Sequence, residues 1–187
     1  MGYNTQGLSR WLTNLMQTIS GAELARLRTN ANKRAVDNPT GLGIVERYIP
    51  KDLAYIIENS EYLDDITREE EAIYETAVLY SIYAQGNLGL KNGKATFGKC
   101  LAQTDKEKII LEVSKRREYS NKRAYLRRAL QIHKANPDIN STPDFQDILE
   151  SVYYLLGDKA DTLKVLRKWE RDYNSTKYKT TETENKD

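Results

Sequence analysis

Residues 97–134 read FGKCLAQTDKEKIILEVSKRREYSNKRAYLRRALQIHK. Apolar residues recur there at helical spacing: Ile109, Ile110 and Val113, then Leu126, Leu130 and Ile132. Nothing in the stretch alternates with the two-residue period of a strand, so it predicts helices with one face in a core. Lys and Arg occupy the other faces. From Lys94 to Lys134 there are 12 basic residues against 4 acidic ones, a balance of +8, while the whole chain carries only +2. One basic helical segment is therefore embedded in a mildly acidic protein. A charge run is most often a solvated face, but this one also suits a polyanion.

The helical pattern extends in both directions. Trp11, Leu12, Leu15, Met16 and Ile19 mark an amphipathic helix over 7–19. After Ser20 and Gly21, the segment AELARLRTNANKR predicts a short helix burying Leu24 and Leu27 and projecting Arg26 and Arg28. Residues 36–50, with Asn38-Pro39, Gly41, Gly43 and Pro50, read as turn and loop. A helix is expected over 51–58, followed by the acidic stretch ENSEYLDDITREEE. Thr67 and Glu70 form a T-x-x-E capping box that opens an apolar core helix reaching about Gln85. Glu69, Glu70 and Glu71 suit the positive end of that helix, which accounts for them without a metal.

Three glycines in GNLGLKNG, residues 86–93, predict a linker. Beyond it, Thr96 caps a helix with Phe97 and Leu101, Thr104 and Glu107 suggest a second capping box, and Ser120 opens a helix ending before Asn136-Pro137. Helices from Asp144 to Leu156 and from Lys159 to Tyr173 follow, the last carrying Leu163, Val165, Leu166 and Trp169. The expected architecture is all-α: an N-terminal helical bundle over 1–90, a basic helical bundle over 91–173, joined by the glycine-containing loop, and a disordered tail over 174–187.

Composition narrows the chemistry. No run of 18 apolar residues exists, so no membrane partner is expected, and the start MGYNTQGLSRWL does not read as a secretory signal. Cys100 is the single cysteine, which rules out an intrachain disulfide and fits a cytoplasmic location. His133 is the single histidine and lies on the apolar arc with Leu126 and Leu130, so it reads as a packed side chain. No catalytic constellation, metal site or cofactor cradle emerges, and the chain reads as non-enzymatic.

The basic stretch offers binding instead. At 100° per residue, Arg127 falls about 40° from Arg123 and Arg128 about 140°, beside an apolar seam of Leu126 and Leu130. Lys122 falls on the other flank. Guanidinium forks grip phosphates, and Tyr119 and Tyr125 could stack on unpaired bases. Lys115, Arg116 and Arg117 also suit the negative end of the preceding helix. Non-sequence-specific nucleic-acid binding is the reading these residues carry furthest. A scaffold whose basic face meets acidic protein and a helical DNA-binding regulator are the alternatives. A helix-turn-helix would need its turn at 117–121, and the rest of that motif does not follow.

An ordered series of motifs resembles CasB, the small subunit of the type I-E CRISPR Cascade complex. The series comprises Trp11 in an early helix, ARLR at Ala25 to Arg28, the helix AIYETAVLYSIYA, FGKCLA at Phe97 to Ala102, TDKEK at Thr104 to Lys108, LRRAL at Leu126 to Leu130, and a final pair around PDFQDIL and VLRKWERDY. It spans about residues 8 to 173. Phe145 stands where the family usually has Trp, Lys106 and Lys108 replace a Glu-Arg-Arg cluster, and the segment 44–66 is longer than the family's. The resemblance implies two small helical bundles in a non-catalytic subunit of antiviral defence. It implies two copies beside other Cascade subunits, with guide RNA and single-stranded or R-loop DNA as partners, held by their backbones. The expected contacts are Arg26, Arg28, Lys106, Lys108, Arg116, Arg123, Arg127 and Arg128.

Overall fold

Local chemistry sets many of the helix boundaries. The computed structural model describes residues 5–51, 66–87 and 90–184. In chain order its helices are α1 (Thr5–Thr18), α2 (Gly21–Thr29), α3 (Pro39–Glu46), α4 (Arg68–Tyr83), α5 (Phe97–Gln103), α6 (Lys108–Ser114), α7 (Tyr119–Ala135), α8 (Phe145–Leu155) and α9 (Lys159–Glu184). No strand occurs among the described residues; Ala95 and Pro143 form an isolated parallel bridge. The all-α expectation is met. The chain divides into two compact units, Met1–Lys91 and Asn92–Asp187.

In the first unit α1, α2 and α3 each pack on α4. Residues 70–81 of α4 are all buried, which explains its wide apolar arc. Its capping box forms as expected, with Thr67 Oγ1 accepting from the Glu70 N–H and Glu70 Oε2 accepting from the Thr67 N–H. Trp11, fully buried, donates from Nε1 to the Val45 carbonyl at 2.9 Å and so ties α1 to α3. Burial reaches carboxylates too: Glu71 Oε1 accepts from Arg34 Nε and the Ala35 N–H, and Glu75 is wholly enclosed.

In the second unit α9 packs along α5, α6 and α8, while α7 packs on α5 and α6. The Phe97 and Trp169 rings lie 4.6 Å apart between centroids. Asp147, buried on α8, accepts from the Phe97 N–H at 2.8 Å and pairs with Lys168 of α9 at 2.8 Å. Cys100 sits in the same core, where burial and the Asp147 carboxylate push its thiol up to about 12.

Several boundaries differ from the sequence reading. Residues 39–46 form α3 where a loop was expected; Asn38 Oδ1 caps the Gly41 N–H at 3.1 Å, Pro39 occupies the first turn, and Asn38 Nδ2 donates to Tyr74 Oη. Ser20 forms a capping box with Glu23 where only a break was expected. Thr104 opens no helix: its hydroxyl donates back to the Cys100 and Leu101 carbonyls at the end of α5. Asp105 then turns with a φ of 54°, and α6 starts without a side-chain cap and is shorter than expected. Ser120 lies inside α7, whose cap position is Glu118.

The tail expected to be disordered from residue 174 instead continues α9 to Glu184. Asp105 anchors the continuation, accepting from Tyr173 Oη at 3.1 Å and pairing with Lys177 at 2.9 Å. Of the apolar residues of this helix named from the sequence, Leu163 is 42% exposed. The helix expected over 51–58 and the acidic stretch after it lie mostly outside the described residues.

Candidate nucleic-acid interface

α7 carries its cations on both faces, and only one face reaches solvent. Its apolar side buries Leu126, Ala129 and Leu130 together with His133. Helix geometry then dictates which neighbours follow them inward. Arg123 is one turn before Leu126 and is 3% exposed, with its guanidinium 5.8 Å from the Tyr119 ring centre. Arg127 is half-buried and Arg128 is exposed. The ridge expected from Arg123 and Arg127 is therefore not a free surface: Arg123 lies in the wall of the core, and Arg128 is the arginine of this helix open to solvent. Tyr119, considered for base stacking, is itself buried.

The other expected contacts divide between the units. Arg26 is exposed on α2, whereas Arg28 is half-buried and donates from Nη1 to the Ser81 carbonyl at 2.9 Å. Those two belong to the first unit. In the second, Lys106 is half-buried and Lys108 exposed at the start of α6. Arg116 is exposed but engaged, donating to Tyr125 Oη at 2.9 Å and to Glu112 Oε2 at 3.3 Å. Lys115 pairs with the same Glu112 at 2.9 Å, and its hydrogen bond helps hold that carboxyl below the ordinary range.

A basic cleft in the second unit gathers Arg116 with residues outside the expected set. The α6–α7 turn brings Lys115, Arg116 and Arg117 to one side, and the α8–α9 turn brings Lys159 to the other. The cleft has a volume of about 490 Å³. Lys122 contributes to its lining, yet it is 2% exposed. Its ammonium donates to the Leu155 carbonyl at 3.2 Å and to Thr162 Oγ1 at 2.9 Å. Burial lowers its pKa, with Glu118 acting in the opposite sense through space. The helical wheel placed Lys122 on a flank and could not show that α8 and α9 cover that flank.

His133 is packed, as its position on the apolar arc suggested. It is 1% exposed, its Nε2 lies 3.0 Å from Gln103 Oε1, and burial holds its pKa below the ordinary value.

Nine helices and no strand among the described residues define the class: a small all-α protein. Among solved structures it is similar to CasB from Thermobifida fusca, with a TM-score of 0.62 and 16% identity, over 90% of this chain and 94% of that one. It is also similar to a Cse2-family CRISPR-associated protein from Thermus thermophilus, with a TM-score of 0.61 and 20% identity, over 94% of this chain and 99% of that one. The chain has the fold of these proteins over nearly its whole length. No family model matches it. No curated protein matches it.

Proposed function

We propose that this protein is a non-catalytic, nucleic-acid-binding small subunit of a type I-E CRISPR interference complex. The observation that carries the reading is a fold shared over nearly the whole length with CasB and with a Cse2-family protein, joined to motifs that resemble the same family in the same order. On this reading the protein sits beside other Cascade subunits in the cytoplasm, in two copies. It stabilises the pairing of guide RNA with target DNA by holding strand backbones. Sequence is read by base pairing, so the protein needs cations rather than base-reading side chains. Arg26, Lys108, Arg116 and Arg128 are exposed and serve as backbone contacts on this view, with Arg28, Lys106 and Arg127 at their edges. Arg123 supports α7, which presents Arg127 and Arg128.

The test is a salt titration of a fluorescein-labelled oligothymidylate against the purified protein. Affinity should fall steeply with salt and vary little between unrelated sequences. A pull-down from the native host, with bound RNA sequenced, should recover guide RNA. Strong preference for one duplex site, or no guide RNA in the pull-down, would remove this reading.

A further inference from the structure

Two lysines of the second unit are drawn inward with different partners. Lys168 is bracketed by the Asp147 and Glu150 carboxylates. Lys122 is more deeply buried and hydrogen-bonds to a backbone carbonyl and a hydroxyl, both neutral. Removing an ammonium from water without a counter-charge in contact is costly, and a group so placed gains from an anion beside it. Lys122 lines the cleft between the α6–α7 and α8–α9 turns. At the rim of that cleft Arg117 and Lys159 are exposed, and neither is paired with a carboxylate among the described residues. Of the acidic groups nearby, Glu112 is paired with Lys115 and Arg116, Asp158, itself part of the lining, caps the Asp161 N–H at 2.8 Å, and Glu118 acts on Lys122 through space without a hydrogen bond to it.

We infer that this cleft binds a phosphate group, with Lys122 at its floor and Arg117 and Lys159 at its rim. An ammonium from below and a guanidinium and an ammonium from the sides offer donors in several directions, which suits a tetrahedral multi-oxygen anion better than a planar carboxylate. The volume exceeds a lone phosphate and admits the nucleotide around it. That the phosphate comes from a strand backbone rests on the reading above; the anion chemistry of the cleft does not. Lys122 then acts as a contact that helix periodicity places away from the ligand.

Two probes separate the sources. Binding of the labelled oligothymidylate is measured by anisotropy and binding of inorganic pyrophosphate by calorimetry, for wild type, Lys122→Met and the Arg117→Ala/Lys159→Ala pair. Circular dichroism checks each fold. The expected result is that both variants weaken the probe that binds by at least about tenfold, the loss expected of a charge-assisted hydrogen bond. Wild-type affinity in a folded Lys122→Met overturns the proposal. If that variant does not fold, wild-type affinity in the rim pair overturns it instead. Binding of neither probe to the wild type also overturns it. Oligothymidylate binding untouched by both variants sinks the cleft and leaves the broader reading standing. Pyrophosphate binding lost in the variants, without oligothymidylate binding, keeps the cleft as a small-phosphate site and sinks the broader reading.

Discussion

Gly98 lies directly against the backbone of Trp169: a Cβ at Gly98 would stand 2.6 Å from the Trp169 carbonyl oxygen and 2.9 Å from its Cα. Backbone cannot yield as a flexible side-chain end can. This approach lets α5 sit close to α9 and brings Phe97 onto the Trp169 indole. Gly98→Ala should therefore destabilise the second unit by about 2 kcal/mol through overpacking, despite the better helix propensity of alanine. Gly43, within α3, is the matched control, since nothing lies within 4 Å of its ideal Cβ. Gly43→Ala should be neutral or stabilising by up to about 1 kcal/mol. Urea denaturation of both variants measures the difference; equal midpoints would contradict it.

The Asp147–Lys168 pair should behave as a buried charge with one partly exposed partner. The Asp147 side chain is 5% exposed and that of Lys168 is 34% exposed. Burial raises the Asp147 pKa even with the lysine present. Lys168→Met should cost about 2 kcal/mol at neutral pH, because an uncompensated carboxylate remains inside. Its folded pKa then rises further above the unfolded value, so the native state holds the proton more tightly. The deficit should shrink as pH falls and grow as pH rises. Adding Asp147→Asn should recover part of the loss, and a double-mutant cycle in urea at two pH values checks both points. Additive losses would argue against coupling.

His133 gives a second pH signature of opposite sign. Burial depresses its folded pKa below the ordinary 6.5. Between those two values the unfolded chain binds a proton that the native chain refuses, so stability rises with pH there and falls as pH drops below about 6.5. The contribution reaches a slope of at most about 1.4 kcal/mol per pH unit. Denaturation of wild type and His133→Gln from mildly acidic to neutral pH isolates it, since carboxylates titrate alike in both. Parallel curves would show that His133 does not titrate in this window.

Elements with a strong local signal are legible in the residues alone. The Thr67–Glu70 box, the apolar arc of α4 and the Asn136-Pro137 stop all stand where the residues indicate. Errors fell where local cues compete. Asn38-Pro39 followed by glycines reads as turn, but the same pair is also a cap followed by a first-turn proline, and packing on α4 decided for helix. Thr104 satisfied a capping pattern, yet its hydroxyl was taken by the helix before it. At the basic face, periodicity identified the amphipathic helix correctly but not the width of its buried side. The covering of α7 depends on elements distant in sequence: Leu155 and Thr162 close over Lys122, as no pattern within 119–135 can show.

That difference separates Arg123 from Arg128, five residues later on the same helix. Arg123 is 3% exposed and leans over Tyr119, while Arg128 is open to solvent. Arg123→Ala should reduce stability by about 1–3 kcal/mol, as the loss of a packed side chain and its hydrogen-bonding group requires. Arg128→Ala should stay within about 0.5 kcal/mol of wild type. Binding should divide the opposite way. If Arg128 holds one phosphate, its removal flattens the slope of log affinity against log salt by about 0.7 for a single strand, equally for unrelated sequences. Arg123→Ala, compared under conditions where it remains folded, should leave that slope unchanged. Thermal melts and oligothymidylate salt titrations on the two variants provide the readings. A stable Arg123→Ala with a flattened slope, beside an Arg128→Ala that binds as wild type, would reverse the assignment and place the contact on the inner edge of α7.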